Sequence, residues 1–202
     1  MARYKKVKRS EYQLYRGDLL VWYLEKNNEI AKLFSGKIAT GTPKSVIVFN
    51  LKSNDREELE KWIKNGEIEK DKLYLDNNEN ITINYIEKEC YKLKSDDIDF
   101  IVIIDYEKGN IGSDKEVSNR LKELACALDI HIFVIANLIE NRNSNPVPTI
   151  EDVEHKELIE YADTVLIEYK ASGKAKKDKT ILAKNNYGKT GILKKLGGIN
   201  HE

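Results

Sequence analysis

The strongest constraint on the fold is a short, unbroken apolar run in the middle of the chain. Residues 98–105 read Ile-Asp-Phe-Ile-Val-Ile-Ile-Asp, and residues 100–104 are all apolar and mostly β-branched. Apolar and polar residues do not alternate, so neither side of such a strand is expected to face water. The pattern is typical of a central strand in a parallel β-sheet that helices cover on both faces.

The run ends at Asp105. In open α/β sheets, ligands bind beyond the carboxyl ends of the strands, where a carboxylate can hold a metal ion beside a nucleotide phosphate. Four hydrophobic residues followed by Asp is also the pattern of a Walker B strand. Asp often caps the turn after a buried strand as well. The residue alone therefore leaves a structural role and a nucleotide-site role open.

Strand-like and helix-like segments alternate along most of the chain. Further strands are predicted at residues 19–24, 45–51, 73–75, 131–137, 163–169, 179–185 and 190–196. Amphipathic helices are predicted to begin near residues 27–28, 54–55, 82 and 114, and a short helix is predicted around Leu158. Residues 186–188, Asn-Tyr-Gly, indicate a hairpin between the last two strands. This order predicts an α/β fold with a mainly parallel central sheet, flanking helices and antiparallel C-terminal strands.

Composition and charge limit the function classes. Lys plus Arg and Asp plus Glu both number 34, so no global positive field attracts the chain to nucleic acid. Cys90 and Cys126 fit neither a disulfide framework nor a zinc site, and both are expected to be buried thiols in helices. No apolar segment is long enough to cross a membrane, so we expect a soluble, cytoplasmic protein. One domain is expected at residues 17–197, after a basic arm at 1–16 and before a tail at 198–202.

Several local strings, in a shared order from about residue 17 to residue 191, resemble the RecA-like C-terminal domain of DnaB-type replicative helicases. Residues 103–106, Ile-Ile-Asp-Tyr, resemble the Walker B strand of that family, and residues 116–125 resemble the helix after it. Residues 162–166 resemble its Ala-Asp-Val-Val-Leu strand, and residues 183–191 resemble its Ala-Lys-Gln-Arg-Asn-Gly-Pro-Thr-Gly hairpin. The resemblance implies a RecA-like P-loop NTPase fold, a role in DNA replication and ring assembly around DNA.

The phosphate loop that such a fold needs is missing from its expected place. Phosphoryl transfer requires a Gly-rich loop followed by Lys and then Ser or Thr. Residues 25–31, which follow the first predicted strand after the arm, contain two carboxylates and no glycine. Negative charge there repels a polyphosphate. Gly36-Lys37 is no substitute, because Ile38 follows it and no glycine lies five positions earlier.

Other catalytic positions implied by the resemblance also differ. Lys52 stands in place of the Glu that polarises the attacking water, Asn137 in place of a Gln, and Asn186 in place of the trans-acting Arg of the hairpin. Asn carries no charge with which to stabilise a phosphoryl transition state. Asp105, as a vestigial Walker B residue, and Lys184 are the retained nucleotide-binding candidates. We therefore expect no catalytic residues, no metal and no cofactor; ATP with Mg²⁺ would bind only at an atypical phosphate site.

Three functions follow from these observations. The first is an ATPase-deficient DnaB-like module that binds a helicase ring, a replication protein or itself. The second is binding of single-stranded nucleic acid through two basic loops, with the candidate residues Arg142, Lys174, Lys176, Lys177 and Lys179. Against it, aromatic residues do not interleave with these cations as they do in stacking platforms. The third is an active ATP-dependent replicative helicase motor domain, which would need a new Lys, a new base and a new Arg.

Overall fold

The computed structural model describes residues 15–25, 46–51, 73–76, 78, 80–93, 100–104, 106, 111–140, 147–170 and 178–193, together with a two-residue strand at Lys6–Val7. The helices predicted to begin near residues 27–28 and 54–55 lie outside these ranges. The predicted division into arm, domain and tail stays a prediction.

The described strands form one nine-stranded sheet. They are β1 (Lys6–Val7), β2 (Leu19–Leu24), β3 (Val46–Asn50), β4 (Leu73–Asp76), β5 (Phe100–Ile104), β6 (His131–Asn137), β7 (Thr164–Lys170), β8 (Asp178–Asn185) and β9 (Gly191–Leu193). Their order across the sheet is β1-β9-β8-β7-β2-β6-β5-β3-β4. The strands from β7 to β4 are all parallel. β8 pairs antiparallel with both β7 and β9, which confirms the predicted fold class.

The centre of the sheet is buried on both faces. β2 and β6 are buried along their whole length. Ile101, Val102 and Ile103 of β5 are at most 1% exposed. Burying an aliphatic side chain stabilises the fold by about 1.5–3 kcal/mol. The unbroken apolar run in the sequence therefore forms a central strand, as predicted.

Two α-helices lie among the described residues, α1 (Ile83–Leu93) and α2 (Asp114–Leu128). The hydroxyl of Ser113 caps the start of α2 by accepting a hydrogen bond from the backbone N–H of Glu116. Asp129 ends the helix in the left-handed conformation, with φ 55°. The apolar face of α2 is buried as the helical spacing predicts, through Val117, Leu121, Leu124 and Ala125.

Side chains on α2 fix the elements around it. The guanidinium of Arg120 donates to the carboxylate of Glu87 on α1, with Nε 2.9 Å from Oε1. The buried hydroxyl of Ser118 donates to the carbonyl of Leu158 at 2.7 Å. That carbonyl belongs to a 3-10 turn, Lys156–Ile159, which occupies the place of the short predicted helix. These contacts hold α1 and the 3-10 turn against the same helix.

The two cysteines differ in exposure. Cys90 is buried, as expected, whereas Cys126 is exposed, so the expectation of burial was wrong there. Cys126 follows the buried Ala125 and lies off the apolar face of α2. Its Sγ is 3.6 Å from the carbonyl oxygen of Gly17. No helix in the part of the chain that the structure describes is long and apolar enough to cross a membrane.

Candidate functional site

The carboxyl ends of β7, β2 and β6 lie side by side. The chain leaves β2 toward β3 on one side and later returns to β7 on the other, so β2 is a topological switch point, where this fold class binds ligands. Leu24 at the end of β2 pairs in register with Glu168 in β7 and Asn137 in β6. These strand ends, here named the carboxyl edge, are where the predicted nucleotide site falls.

Glu25 is the first residue after β2, where a phosphate loop would begin. Its Oε2 accepts a hydrogen bond from the backbone N–H of Lys170, the last residue of β7, at 3.2 Å. The carbonyl of Leu24 accepts a second bond, from the backbone N–H of Leu138 at 2.8 Å. The end of β2 is therefore bound on both sides by its own chain. A carboxylate occupies the first position of the segment that would have to present N–H groups to a phosphate.

Three acidic residues lie near the ends of β2 and β6. Glu25 bridges β2 to β7, Glu140 is exposed just after β6, and the backbone of Glu154 is hydrogen-bonded to the carbonyl of Asn137 at 3.1 Å. Two cations at this edge, Lys170 and Lys179, lie on β7 and β8. Glu25 places its carboxylate at the strand ends themselves.

Of the predicted catalytic positions, Asn137 falls at this edge, Asn186 falls at the opposite edge and Lys52 lies outside the described residues. Asn137 ends β6 and is 9% exposed, so its amide lies where the sequence placed it. Lys52 and Asp105 are outside the described ranges; the strands that precede them, β3 and β5, end at Asn50 and Ile104. Their proposed roles stay predictions.

A cluster that the sequence did not indicate lies beyond the end of β5. The Nδ1 of His155 is 3.0 Å from a carboxylate oxygen of Asp114, the first residue of α2. The His155 ring packs edge-to-face on Tyr106, with centroids 5.1 Å apart, and its carbonyl accepts a hydrogen bond from the Tyr23 hydroxyl at 3.1 Å. His155 has φ 53°, a backbone conformation that is rare for a residue with a Cβ. The four residues belong to four separate segments, so no sequence spacing could reveal them.

This cluster joins four segments through hydrogen bonds and a ring contact. Burial raises the pKa of Tyr23, and burial together with the nearby Asp114 carboxylate raises the pKa of Tyr106. Both phenols therefore stay protonated at neutral pH and act as hydrogen-bond donors. A protonated phenol is neither a nucleophile nor a base, so neither tyrosine supplies one to this cluster.

The opposite edge of the sheet, where β2 and β7 begin, holds a buried polar network. We name it the amino edge. Asp163 is 6% exposed and accepts from the backbone N–H of Leu19 at 2.9 Å. It also accepts from Nζ of Lys122 at 2.7 Å and from Nδ2 of Asn186 at 3.2 Å. One charged and two neutral donors thus satisfy the same buried carboxylate, which ties the hairpin between β8 and β9 to the start of β2.

A second buried carboxylate, Asp18, lies beside it and is 2% exposed. Its oxygens accept from the backbone N–H of Tyr15 at 2.7 Å and from the hydroxyl of Tyr187. Burial raises the pKa of Asp18, although these two hydrogen bonds oppose the shift. Burial and the Asp18 carboxylate raise the pKa of Tyr187 in turn. Tyr187 therefore remains a donor and fastens the hairpin at a second point.

Both hairpin residues that the sequence singled out are engaged within their own chain. Asn186 donates to Asp163, as described above. Lys184 donates through Nζ to the carbonyls of Ile159 and Glu160, at 2.9 and 3.1 Å. Burial lowers the pKa of Lys184. Lys184 also lies at the amino edge, at the opposite end of the strands from the carboxyl edge. A role for Lys184 in nucleotide binding would therefore require a nucleotide bound by a neighbouring chain, and that role stays a prediction.

The nucleic-acid candidates fall mostly outside the described residues, namely Arg142, Lys174, Lys176 and Lys177. Lys179 is exposed near the start of β8, at the carboxyl edge. Within the described ranges, no group of three His, Cys, Asp or Glu residues is arranged to hold a metal ion. Nucleic-acid binding therefore stays a prediction from the sequence.

Comparison with known proteins identifies the family. A family model described as the DnaB-like helicase C terminal domain matches residues 35–196, well over half of the chain. A solved structure described as "The Structure Of A DnaB-Like Replicative Helicase And Its Interactions With Primase" has a TM-score of 0.70 at 18% identity. The match covers 93% of this chain and 58% of that one, so this chain spans little more than half of that protein's length. No curated protein sequence matches. The chain belongs to the DnaB-like helicase C-terminal domain family and has its RecA-like fold.

Proposed function

We propose that this chain is an ATPase-deficient member of its family that serves DNA replication as an assembly module. In this role it binds no ATP and no metal, carries no catalytic residue and works in the cytoplasm through contact with protein. Its partner is a helicase ring, another replication protein or a second copy of itself.

The observation that carries the proposal is the position of Glu25. Its carboxylate spans the ends of β2 and β7, at the place from which a phosphate loop presents backbone N–H groups. A bound triphosphate would have to lie against this negative charge, and displacing Glu25 would leave the N–H of Lys170 to find another partner.

Two further observations support the proposal. Asn186 and Lys184 are bonded within the chain, which disfavours their reaching a phosphate on a neighbour. The family match begins at residue 35, after the segment at 25–31 that lacks a phosphate-loop sequence. The losses affect separate parts of the catalytic apparatus, so restoring one of them would not restore turnover.

The protein-partner part of the proposal has its own support. The similar helicase structure was determined with regard to interactions with primase, which is a protein contact of that helicase. Docking and catalysis depend on different residues, so loss of one leaves the other in place. For this chain, the identity of the partner is therefore sought among replication proteins.

Calorimetry with ATP and Mg²⁺, followed by phosphate release with and without single-stranded DNA, tests the proposal. We expect no saturable heat up to about 1 mM ATP, which corresponds to a binding free energy weaker than about −4 kcal/mol. Phosphate release should equal that of buffer, while an active replicative helicase measured in parallel turns over. Magnesium-dependent binding with turnover would instead establish an active motor with an atypical phosphate site.

A variant that restores two family residues sharpens the test. Lys52→Glu with Asn186→Arg returns the water-polarising carboxylate and the hairpin cation that the resemblance implies. Because the phosphate loop is still missing, we expect this double variant to remain inactive. Turnover by the double variant would show that the phosphate site is functional and would contradict the proposal.

A further inference from the structure

His155 is held in a backbone conformation that residues with a Cβ seldom adopt. Its φ of 53° lies in the left-handed region, where Gly or Asn is accommodated at lower cost. The side chain is 29% exposed, so packing of the core does not require an imidazole at this position. Backbone strain of this kind is concentrated at functional sites.

The neighbouring carboxylate fixes which ring nitrogen of His155 carries the hydrogen. Nδ1 lies 3.0 and 3.2 Å from the two carboxylate oxygens of Asp114. A carboxylate only accepts, so Nδ1 is the donor and the lone pair of the neutral ring is on Nε2. The ring also packs edge-to-face on Tyr106, whose phenol lies against the same carboxylate. The imidazole is therefore held in one tautomer and one orientation.

The second ring nitrogen, Nε2, is available for chemistry. Among the described residues, the ring of His155 is hydrogen-bonded through Nδ1 alone. Nε2 is not one of the buried polar atoms that lack a partner in this part of the chain, so it is accessible to solvent. An imidazole nitrogen with a free lone pair is a nucleophile. A carboxylate on the other nitrogen stabilises the positive charge that the ring gains when Nε2 forms a bond.

The stability of the product and the start of α2 favour a phosphoryl group as the one that Nε2 accepts. An acyl group on an imidazole nitrogen is lost rapidly to water, whereas a phosphoryl group persists at neutral pH and is removed by acid. Asp114 is the first residue of the 15-residue helix α2. The positive end of the helix dipole stabilises negative charge added beside it.

We propose that His155 is a phosphorylation site, at which Nε2 accepts a phosphoryl group from a phosphoramidate or acyl phosphate donor. The lone pair of Nε2 forms the N–P bond, and the bond between phosphorus and the leaving group of the donor breaks. The leaving group takes that electron pair. The ring keeps the hydrogen on Nδ1, and the carboxylate of Asp114 balances the charge of the ring.

This inference goes beyond the proposed function and does not depend on it, because the phosphoryl donor is a separate molecule. The phosphoryl group brings about two negative charges to the contact between His155 and Asp114. That contact joins the 3-10 turn at Lys156–Ile159 to the start of α2. Modification would therefore act on the packing of the turn against the helix.

Labelling of the full chain with potassium phosphoramidate tests the site. The reagent transfers its phosphoryl group to histidine and releases ammonia. Mass spectrometry of peptides before and after brief acid treatment locates the N–P bonds, since acid cleaves them and leaves phosphate esters intact. We expect His155 to react at least about tenfold faster in the folded chain than in urea, because unfolding separates Asp114 from the ring. The buried His131, which is 6% exposed, should react more slowly in the folded chain.

Asp114→Asn separates activation by the carboxylate from simple exposure of the ring. The amide keeps the size of the side chain but cannot balance the charge of the ring, so labelling of His155 should fall about tenfold. Asp129→Asn changes a 69% exposed carboxylate at the other end of α2 and should label like the wild type. His155→Gln should lose the label at this position, and circular dichroism shows whether each variant is folded.

Two results would overturn the proposal. One is a wild-type His155 that reacts no faster in the folded chain than in urea. The other is a folded Asp114→Asn variant that labels as fast as the wild type. ATP turnover would remove the proposed function and leave the labelling result unchanged.

Discussion

Two buried carboxylates at the amino edge are compensated in different ways. Asp163 is bonded directly to the ammonium group of Lys122, whereas the direct donors to Asp18 are a backbone N–H and a phenol. Burial of a carboxylate favours its neutral form unless a cation or several donors offset the loss of water. Burial raises the pKa of Asp18, and its two hydrogen bonds offset that shift only in part.

The substitution Asp18→Asn should change how stability depends on pH. Because the folded pKa of Asp18 is raised above its ordinary value of 3.8, the folded chain binds this proton more tightly than the unfolded chain. The resulting stability is fully present below that value and is lost as the pH rises through the folded pKa. Asn cannot ionise, so the variant should gain stability relative to the wild type as the pH rises above 3.8.

Urea titrations at several pH values check this expectation. Any hydrogen bond that the amide does not replace shifts the variant by the same amount at every pH, so the slope of the difference is the informative quantity. Asp129→Asn is the matched control, because that side chain is 69% exposed. A difference between wild type and Asp18→Asn that does not vary with pH would show that Asp18 titrates normally in the folded chain.

At the scale of elements, the hairpin between β8 and β9 does more than extend the sheet. Its residues fasten the start of β2 through Asp163 and Asp18, and Lys184 fastens the end of the 3-10 turn. The 3-10 turn has few backbone hydrogen bonds of its own, so side chains from α2 and β8 supply the missing donors. The ordered conformation of the 3-10 turn therefore depends on residues that are distant in sequence.

Lys184→Met should loosen this turn while leaving the rest of the fold intact. The substitution keeps most of the apolar stem and removes both hydrogen bonds to the carbonyls of Ile159 and Glu160. A loss of about 1 kcal/mol in local stability corresponds to roughly fivefold faster opening. Hydrogen exchange should accelerate in residues 156–163 and not in α1. Lys179→Met, an exposed position on the same strand, should leave exchange unchanged; equal acceleration in both variants would contradict this role.

At the scale of the whole molecule, the sequence predicted strands β2 to β9 because each of them carries its own signal, whereas β1 falls in the segment predicted as a basic arm. The apolar runs of β2, β5 and β6 are buried on both faces, and such runs are visible without knowledge of their neighbours. The hairpin turn at residues 186–188 is likewise a local signal. The 3-10 turn was predicted as a helix, because its short apolar pattern does not distinguish the two.

The contacts that define the two edges were not predictable in this way. His155 meets Asp114, and Asp163 meets Lys122, across 41 residues in each case. Only the strand order brings these segments together, and several orders are compatible with the same succession of elements. The sequence did not predict that Tyr15 and Tyr187 meet at Asp18, because the two tyrosines lie near opposite ends of the sequence.

The overall charge of the chain leads to an expectation about DNA. With 34 cationic and 34 acidic side chains, the molecule has no net field to attract phosphates, and non-specific affinity depends on that term. We expect a fluorescent single-stranded oligonucleotide to bind more weakly than about 10 µM at 0.15 M salt. Changing Lys174, Lys176, Lys177 and Lys179 together to Glu should then alter the signal little, as should the same change at the exposed Lys115 and Lys156. The opposite outcome is tight binding that falls steeply with salt and is lost only when all four of these lysines are changed. That result would assign the chain a nucleic-acid channel instead.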